Sequence, residues 1–349
     1  MTKQKERYSN AFTATFSGIA DLFRKQKNVV SLSDGDTLIG KTVLITGASS
    51  GLGLEAAVQL ARKGAHVYMA CRSGIPEKGE YVRKLSGSRL VDMLPVDVSD
   101  IDSIRRLVDT LRSSGIKLDI LIENAAVVPA KSRKTKQGLE EMFMVNYLSK
   151  FLNIRWMLDA DIFNTAKGNV PRIIFVSSES HRNPKGFDWS GFGEYHEYAM
   201  GKTVELYGYY KLLMTTFANE LSRRINPTGH LKYSVFALCP GPVNSNIARE
   251  APAIFKPLLK LVFGIFFRSP AKAVQPVIYF ATSHEVDACP IDYLFLMSRK
   301  EMDPKAADIV NGEKIWTHSE ALLQKQGITF EKQFPKPFSQ KSYCKPKQF

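Results

Sequence analysis

Short apolar runs alternate with longer segments of helical period from about residue 41 to residue 298. Runs such as Val43-Leu44-Ile45 have no polar face, which is typical of strands covered on both sides in a parallel sheet. The alternation predicts an α/β fold built on a doubly wound parallel sheet. The predicted strands are Thr42–Thr46, His66–Ala70, Leu90–Pro95, Leu118–Ile122, Arg172–Ser177, Tyr233–Leu238 and Tyr293–Met297. The predicted helices are Gly51–Lys63, Pro76–Leu85, Ile101–Ser113, Gln137–Asp161, Thr203–Ile225 and Pro270–Ser283.

A length of 349 residues allows two domains, but one continuous series of strands favours a single domain. We expect an N-terminal extension over residues 1–40, the sheet domain over 41–325 and a basic C-terminal tail over 326–349. The extension contains apolar residues at helical spacing, which predict an amphipathic helix that packs on the domain or, alternatively, contacts a membrane. These residues are Phe12, Phe16, Ile19, Leu22 and Phe23. From Glu331 onward, lysine and proline without periodicity predict a segment without fixed structure.

The formal net charge of +14 informs the choice of partner only through the location of the basic residues. Basic residues cluster near Lys131–Lys136, in the C-terminal tail, and in the stretch 251–284, which has no acidic residue. No nucleic-acid-binding motif accompanies them, so we do not expect a nucleic-acid partner. Attraction to an anionic membrane surface, or plain solubility, fits the clusters better.

The four cysteines, Cys71, Cys239, Cys289 and Cys344, are widely separated and form no paired motif. Their spacing argues against a disulfide framework and against a metal site, and it favours a reducing compartment. The stretch Met1–Tyr8 is polar, so a secretory signal is not expected. These features predict a cytoplasmic protein, with association at a membrane surface as an alternative.

The turn after the first predicted strand contains three glycines, Gly47, Gly51 and Gly53. Glycine lets the backbone come close to a ligand, and the free amide groups at the start of the following helix favour an anion. The Gly-Lys-Ser/Thr ending of a nucleotide-hydrolase loop is missing. The strand, turn and helix therefore predict a site for the pyrophosphate of a dinucleotide rather than for ATP.

Two stretches have the spacing Tyr-x-x-x-Lys, one at Tyr198 and Lys202 and the other at Tyr207 and Lys211. On a helix this spacing places the ammonium group beside the phenol, where it favours the phenolate and lowers the tyrosine pKa. Such a tyrosine can exchange a proton with an alcohol or a carbonyl. We favour Tyr207 and Lys211, because they open a long amphipathic segment, whereas Tyr198 lies in an irregular stretch.

With these motifs in order, the chain resembles the short-chain dehydrogenase/reductase family, and within it the retinol-dehydrogenase-like branch. The resemblance covers about residues 40–325 and implies a Rossmann-type, NAD(P)-binding domain. It is carried by the motifs Thr46–Gly53, Cys71-Arg72, Asp97-Val98, Asn124-Ala125-Ala126, Met144-Val145-Asn146, Ser177-Ser178, Tyr207 with Lys211, and Pro240-Gly241-Pro242-Val243.

The resemblance implies a role for each residue of a catalytic set. Tyr207 is the general acid or base, and Lys211 lowers its pKa and holds the ribose of the nicotinamide. Ser178 hydrogen-bonds the substrate oxygen, and Asn146 holds a water that links Lys211 to solvent. Structural roles remain as alternatives, with Asn146 bridging a helix distortion and Ser178 capping a strand end.

The same resemblance implies a cofactor-binding set. Its members are Thr46, Gly47, Ser49, Ser50, Gly51, Leu52, Gly53, Arg72, Asp97, Val98, Asn124, Ala125, Tyr207, Lys211, Pro240, Gly241 and Val243. At the end of the second strand there is no carboxylate to bind the ribose hydroxyls of NAD, and Arg72 can pair with a 2′-phosphate. We therefore expect NADP(H) as the cofactor, with NAD as the less favoured choice.

Two departures from the family pattern matter. The family commonly has Asn-Asn-Ala-Gly after the fourth strand, whereas this chain has Glu123-Asn124-Ala125-Ala126. About thirty residues separate Ser178 from Tyr207, and Phe187, Trp189 and Phe192 in this insertion are candidates to cover the substrate.

The segment 254–267 is apolar around much of a helical circumference but too short to span a bilayer. It is interpreted as a substrate lid, a membrane-surface anchor or an oligomer contact, and the lid is favoured. The whole pattern predicts an oxidoreductase that transfers hydride between NADP(H) and a lipophilic carbonyl or alcohol. The alternative is a catalytically idle NADP-binding sensor or scaffold.

Overall fold

One eight-stranded sheet runs through the centre of the molecule in a computed structural model that describes residues 28–227, 230–241 and 269–336. The strand order is β3-β2-β1-β4-β5-β6-β7-β8. Neighbouring strands are parallel except for the antiparallel pair β7 and β8. The strands are β1 (Thr42–Thr46), β2 (His66–Cys71), β3 (Val91–Pro95), β4 (Ile120–Glu123), β5 (Arg172–Val176), β6 (Ser234–Cys239), β7 (Ile291–Phe295) and β8 (Ser298–Arg299).

Helices cover both faces of the sheet, and each face has its own apolar core. The helices are α1 (Gly51–Arg62), α2 (Glu77–Ser86), α3 (Ile101–Ser113), α4 (Glu141–Phe143, a π-helical turn Met144–Leu148, then Ser149–Asp159), α5 (Met200–Ile225), α6 (Pro270–Ala273), α7 (Gln275–Thr282), α8 (Pro304–Ala307) and α9 (Ile309–Lys325). Side chains of α3, α4, α5 and α9 share one core, and those of α1 and α7 share the other. The predicted doubly wound α/β sheet is therefore confirmed.

The order of the strands creates a crevice at the carboxyl ends of β1 and β4. The chain moves outward from β1 to β2 and β3, then returns across the sheet to β4 on the other side of β1. The connections that follow these two strands therefore diverge to opposite faces. Open parallel sheets bind their ligands at such a reversal point.

The predicted strands agree with the structure to within two residues at each end. The predicted helix Gln137–Asp161 starts too early, because the Glu140 carboxylate accepts hydrogen bonds from the amides of Met142 (3.0 Å) and Phe143 (2.7 Å) and so begins the helix there. The predicted helix Pro270–Ser283 is two helices, α6 and α7, and Pro276 lies in the first turn of the second. Helices α8 and α9 and strand β8 were not predicted.

The expectation of a C-terminal segment without fixed structure is wrong for residues 331–336. The carbonyl of Lys332 accepts a hydrogen bond from the Arg155 guanidinium at 2.9 Å, and the Phe334 ring contacts Trp316. The Phe334 ring and the buried Arg155 guanidinium hold this segment against the domain, and its lysine and proline content gives no sign of these contacts. The boundaries of the three predicted regions stay predictions.

Residues 28–40 join the domain by an isolated bridge from Val29 to Ser298 and by the buried side chains of Val30 and Leu38. The predicted amphipathic residues Phe12–Phe23, the segment 254–267 and Val243 lie outside the described residues. Within the described ranges no helix has both the length and the apolar character needed to cross a bilayer. Cys71 and Cys239 carry free thiols. Cys289 is disulfide-bonded, so the argument from spacing against a disulfide framework fails at this cysteine.

Candidate active site

The glycine turn after β1 is tied directly to the turn after β4. The Asn124 side-chain amide donates to the carbonyl oxygens of Thr46 (2.9 Å) and Gly47 (3.2 Å). In return, the Thr46 hydroxyl accepts from the amides of Asn124 (3.0 Å) and Ala125 (3.2 Å). Gly47 has φ +67°, and a Cβ there would lie 2.9 Å from the Ala125 Cα. The two turns therefore form one rigid edge at the reversal point of the sheet.

The start of α1 faces this edge and suits an anion. Its N-cap residue, Ser50, makes no side-chain capping bond, and the first helical turn carries no acidic residue. The amides of that turn and the helix dipole are thus available to a phosphate. A Cβ at Gly53 would come within 2.5 Å of the Asn124 amide nitrogen, so only glycine lets the helix approach so closely. Ser49, Ser50, Gly51 and Leu52 lie in the same turn, as a pyrophosphate cradle requires.

Arg72 and Asp97 meet beside this cradle, at the carboxyl ends of β2 and β3. An Arg72 guanidinium nitrogen lies 3.6 Å from Asp97 Oδ2, and the Arg72 side chain is 67% exposed. The Ser99 hydroxyl (2.6 Å) and amide (3.0 Å) donate to the other Asp97 oxygen, Oδ1. Val98, the remaining residue predicted here, is half-buried against the core. The guanidinium is therefore open to an anionic ligand on its solvent side.

Ser178 begins a 3₁₀ turn, Glu179–Arg182, directly after β5. Its hydroxyl oxygen accepts from the amide (3.2 Å) and hydroxyl (2.9 Å) of Ser180. The buried His181 ring holds the turn from behind, with Nδ1 2.6 Å from the Ser178 carbonyl and Nε2 accepting from the Asp303 amide at 3.2 Å. Burial lowers the pKa of His181 to about 4, so the ring is neutral and positions the serine without adding charge.

Tyr207 and Lys211 lie on the first half of α5, facing the serine turn. The Ser178 side chain lies close enough to the Tyr207 hydroxyl to favour the phenolate. Lys211 Nζ donates to the Val176 carbonyl at 2.7 Å and lies 5.6 Å from the centre of the Tyr207 ring. Gly208 permits the approach, since a Cβ there would meet the Ser180 carbonyl at 2.9 Å. The structure thus brings Ser178, Tyr207 and Lys211 together at the carboxyl end of β5.

The electrostatics of this group differ from the sequence-based expectation. Burial raises the pKa of Tyr207 above its ordinary value, and the hydrogen bond from Ser178 only partly opposes this. The expected net lowering by Lys211 is therefore not present. Instead the pKa of Lys211 itself is lowered to about 7, first by burial and then by the nearby Lys150 ammonium. Desolvation is the largest cause of both shifts, with Lys211 buried and Tyr207 half-buried.

Asn146 lies in the π-helical turn of α4 and binds the turn after β4. Its side-chain oxygen accepts from the Val127 amide at 2.8 Å, and its nitrogen donates to the Val127 carbonyl at 2.9 Å. The side chain is fully buried. Both of its polar atoms are used in this bridge, so the structural alternative for Asn146 has direct support, and its role in holding a water stays a prediction.

The second tyrosine–lysine pair does not form a site. Tyr198 precedes α5, and its hydroxyl donates to the buried Glu140 carboxylate at 2.8 Å. Lys202 is exposed to solvent.

Pro240 and Gly241 follow β6 at the same edge as Ser178, and Gly241 has φ +77°.

The aromatic residues of the insertion between Ser178 and Tyr207 pack on the domain. Trp189 stacks between Phe187 and His318, and Phe192 contacts the Phe143 and Tyr147 rings of α4. These contacts anchor the insertion on α4 and α9. Its proposed place over the substrate stays a prediction.

Sequence reasoning missed a group of buried ionisable residues below the turns. Glu123 ends β4 and is 1% exposed, and Lys150 on α4 is fully buried. Lys150 could have been noticed as the one charge within the apolar run from Phe143 to Leu152. His181 gave a weaker signal, since only its position three residues after Ser178 marked it.

Comparison with known proteins gives matches over most of the chain. A family model described as short chain dehydrogenase matches residues 41–190. Retinol dehydrogenase 14 from Homo sapiens is 32% identical over 308 residues, covering 83% of this chain and 88% of that protein. Dehydrogenase/reductase SDR family member 13 from Bos taurus is 31% identical, covering 82% of this chain and 74% of that protein.

Solved structures agree on the fold. An uncharacterized protein from Mycobacterium Paratuberculosis superposes with a TM-score of 0.65 at 24% identity, covering 85% of this chain and 98% of that one. A 3-ketoacyl-(acyl-carrier-protein) reductase from Brucella melitensis, complexed with NADH, has a TM-score of 0.56 at 20% identity, covering 77% and 100%. The sequence matches carry the assignment further than fold alone. The chain belongs to the short-chain dehydrogenase/reductase family of oxidoreductases, in its retinol-dehydrogenase-like branch.

Proposed function

We propose that this protein transfers hydride between NADP(H) and a lipophilic carbonyl or alcohol, with Tyr207 exchanging the proton. The observation that carries the proposal is the convergence of three side chains, since Ser178 acts on the Tyr207 hydroxyl and Lys211 Nζ lies 5.6 Å from the Tyr207 ring. All three lie at the carboxyl end of β5, on the same edge as the uncapped start of α1. This edge offers both an anion cradle and a proton donor, as a nicotinamide reductase requires.

In the proposed reaction the nicotinamide supplies or accepts the hydride. Ser178 donates a hydrogen bond to the substrate oxygen as negative charge develops there, and Tyr207 gives that oxygen its proton. Lys211 holds the nicotinamide ribose and returns a proton to Tyr207. Asn146 lies beside the proposed proton path from Lys211 to solvent. In the direction of oxidation each proton transfer reverses. Thr46, Gly47, Asn124, Ala125, Pro240 and Gly241 form the proposed backbone wall of the cofactor cleft.

The choice of NADP(H) rests on Arg72. Its guanidinium is 67% exposed beside the α1 cradle, where a 2′-phosphate can form charge-assisted hydrogen bonds. Asp97 at 3.6 Å orients the guanidinium without covering it. We expect Arg72→Ala to raise the KM for NADPH roughly 10- to 100-fold, the loss typical of hydrogen bonds to a charged group. The KM for NADH should stay within about two-fold, because NADH has no 2′-phosphate.

Initial rates at varied NADPH and NADH, measured for wild type and Arg72→Ala, test this choice. Arg106→Ala is a matched control, since Arg106 is equally exposed and pairs only loosely with Asp100 at 3.9 Å. A wild-type preference for NADH that Arg72→Ala leaves unchanged would remove Arg72 from cofactor selection.

The lipophilic substrate class is supported by relatives named retinol dehydrogenase and by the aromatic insertion at Phe187, Trp189 and Phe192. The decisive experiment follows NADPH oxidation against a panel of retinoid, steroid and long-chain lipid aldehydes and ketones, with short polar aldehydes as controls. Turnover restricted to the lipophilic members is the expected result. NADPH binding without oxidation across the panel would instead indicate a cofactor-binding sensor.

A further inference from the structure

The 3₁₀ turn that follows Ser178 is tied to one distant stretch of the chain, residues 293–303. This stretch, the β7 anchor, runs from β7 through β8 to the residue before α8. Three side chains of the turn bond it, and they belong to Glu179, His181 and Arg182. The Arg182 guanidinium, for example, donates to the Glu301 carbonyl. The position of the turn therefore depends on the β7 anchor.

Glu179, the residue next to Ser178, makes the most of these contacts. Its carboxylate accepts from the Tyr293 hydroxyl at 2.7 Å and pairs with the Lys300 ammonium. Arg182 Nε donates to it from within the turn at 3.2 Å. Burial opposes the ionisation of Glu179, but the Arg182 and Lys300 charges hold the pKa of its carboxyl below the ordinary value. The carboxylate is thus ionised and held by three donors.

Tyr293 contacts both residues that hold the turn in place, Glu179 and His181. It is fully buried on β7, and its ring centre lies 5.5 Å from that of His181 at an angle of 70°. Burial raises the pKa of Tyr293 well above its ordinary value, so the hydroxyl keeps its proton and donates to Glu179. His181 Nδ1 lies 2.6 Å from the Ser178 carbonyl. One tyrosine therefore bears on Ser178 through two neighbours.

The turn needs this external support because its own hydrogen bonds are few. It has four residues, and the His181 amide donates to the Ser178 carbonyl at 3.1 Å. Hydrogen bonds of a 3₁₀ turn have poorer geometry than those of an α-helix. A hydroxyl that acts on a substrate must be held within about 0.5 Å of its productive position. The contacts to the β7 anchor supply that precision.

We propose that Tyr293 is a positioning residue for Ser178: its hydroxyl and ring hold Glu179 and His181, and through them the serine hydroxyl, in the geometry that the reaction requires. Lys300 supports the same Glu179 carboxylate from the surface. Neither Tyr293 nor Lys300 touches substrate or cofactor in this scheme. The inference rests on the proposed function, because it takes Ser178 as the donor to the substrate oxygen.

Hydride transfer in a single turnover, followed by the loss of NADPH fluorescence with a lipophilic aldehyde that wild type reduces, tests the coupling. Tyr293→Phe should lower the rate constant roughly 10-fold, because a loosened turn misplaces the Ser178 hydroxyl. Ser178→Ala should lower it at least about 100-fold, the usual cost of losing a donor to a developing oxyanion. In the Ser178→Ala background, Tyr293→Phe should cause no further loss, since no hydroxyl is left to position.

Tyr279→Phe is the matched control. Tyr279 is also fully buried, and it donates to Glu285 at 2.8 Å in the core on the other face of the sheet. The urea midpoints of both variants should fall, because each loses a hydrogen bond to a carboxylate. Only Tyr293→Phe should slow hydride transfer, and Tyr279→Phe should stay within about two-fold of wild type. The dissociation constant of NADPH should be unchanged in both.

Lys300→Met tests the same contact from the surface, since the Lys300 side chain is 37% exposed and its loss leaves the core intact. It should give a smaller fall in the rate constant, which also disappears in the Ser178→Ala background. Losses that multiply with that of Ser178→Ala would reduce Tyr293 and Lys300 to structural residues and overturn the proposal, as would wild-type rates in both single variants. A Ser178→Ala variant as fast as wild type would instead refute the proposed function of Ser178 itself.

Discussion

Two groups of buried charges lie on the same face of the sheet and are built differently. In the first, the cluster at the proposed active site (Glu123, Lys150, Tyr207 and Lys211, the active-site cluster), both lysines donate to backbone carbonyls and their pKa values are lowered. In the second, the aromatic clamp (Arg155, Glu220, Arg224, Trp316 and Glu320), each guanidinium has a carboxylate at 2.6 Å and lies over the Trp316 ring. In the clamp each guanidinium has a carboxylate partner, although the buried Arg155 Nε has no hydrogen-bond partner in the described part of the chain, whereas both lysines of the active-site cluster bond neutral carbonyls.

The difference indicates that the clamp stabilises the fold, whereas the active-site cluster serves the proposed reaction. The clamp holds the C-terminal segment through Phe330 and Phe334, whose rings lie 4.3 Å and 5.0 Å from the Arg155 guanidinium. Burial lowers the pKa of Arg155, and the Glu320 carboxylate opposes this shift. In the active-site cluster, burial lowers the pKa values of Lys150 and Lys211 to about 8 and about 7, at a cost in folding free energy. We therefore expect substitutions in the clamp to reduce stability and substitutions in the active-site cluster to reduce activity.

The largest loss of stability is expected for Arg155→Met. It leaves Glu320 without its partner at 2.6 Å and the Lys332 carbonyl without its donor. Breaking a buried charge pair costs about 3–5 kcal/mol, and the partial exposure of Glu320 places the effect at the lower end. Urea unfolding measures the loss, and kcat at 25 °C should stay within about two-fold of wild type, since the clamp touches no reacting group. Equal stability of Arg155→Met and the surface control Arg106→Met would refute the clamp.

A smaller effect with a defined pH dependence is expected for Lys211→Met. The pKa of Lys211 is about 7 in the folded protein and 10.5 in its ordinary state, so between these values the unfolded chain binds more protons. The contribution of Lys211 to stability therefore rises with pH from about 7 toward 10.5. At pH 6.5 wild type pays the full free energy of burying a protonated Lys211, and the methionine variant avoids this cost. The cost is at most a few kcal/mol, because one pKa unit corresponds to about 1.36 kcal/mol. At pH 9.5 the cost that the variant avoids is smaller.

Thermal unfolding from pH 6.5 to 9.5 measures this difference. The advantage of Lys211→Met over wild type should shrink as pH rises. A difference that is constant over this range would mean that the lysine titrates normally.

The smallest effect is expected for Tyr198→Phe, in the other Tyr-x-x-x-Lys pair. The variant loses one hydrogen bond to Glu140, which keeps its bonds from the Met142 and Phe143 amides. The cost should be about 1 kcal/mol of stability with no change in kcat. Chemical denaturation and steady-state rates measure both quantities, and a large loss of kcat would reopen the choice between the two tyrosines.

The strands were predictable from sequence because the central strands β1, β4, β5, β6 and β7 are buried on both faces and show as apolar runs. Helix α9 was not, because its buried side includes Gly312 and Ser319 beside Ile315, Trp316 and Leu323, so small and polar residues interrupt the apolar stripe. Gly312 leaves room there for the Arg223 guanidinium and the Glu220 carboxylate, both of which a Cβ would displace.

The residues proposed for catalysis were predictable because their spacing is a property of the local sequence. Glu123 and Lys150 were not, because a charged residue is expected at the surface and only the three-dimensional packing buries both. The raised pKa of Tyr207 was missed for a related reason. Spacing places a cation near the phenol, but the depth of burial, which decides whether the pKa rises or falls, depends on the whole fold.

Hydride transfer in a single turnover by Tyr207→Phe, with unfolding measured on the same preparation, tests the account most directly. With saturating NADPH and a lipophilic aldehyde that wild type reduces, we expect the rate constant to fall at least about 100-fold, the usual contribution of a positioned proton donor. The free energy of unfolding should stay within about 1 kcal/mol of wild type, because the substitution removes one hydroxyl and no charge at neutral pH. A rate constant equal to that of Tyr198→Phe would contradict the central claim that Tyr207 exchanges the proton.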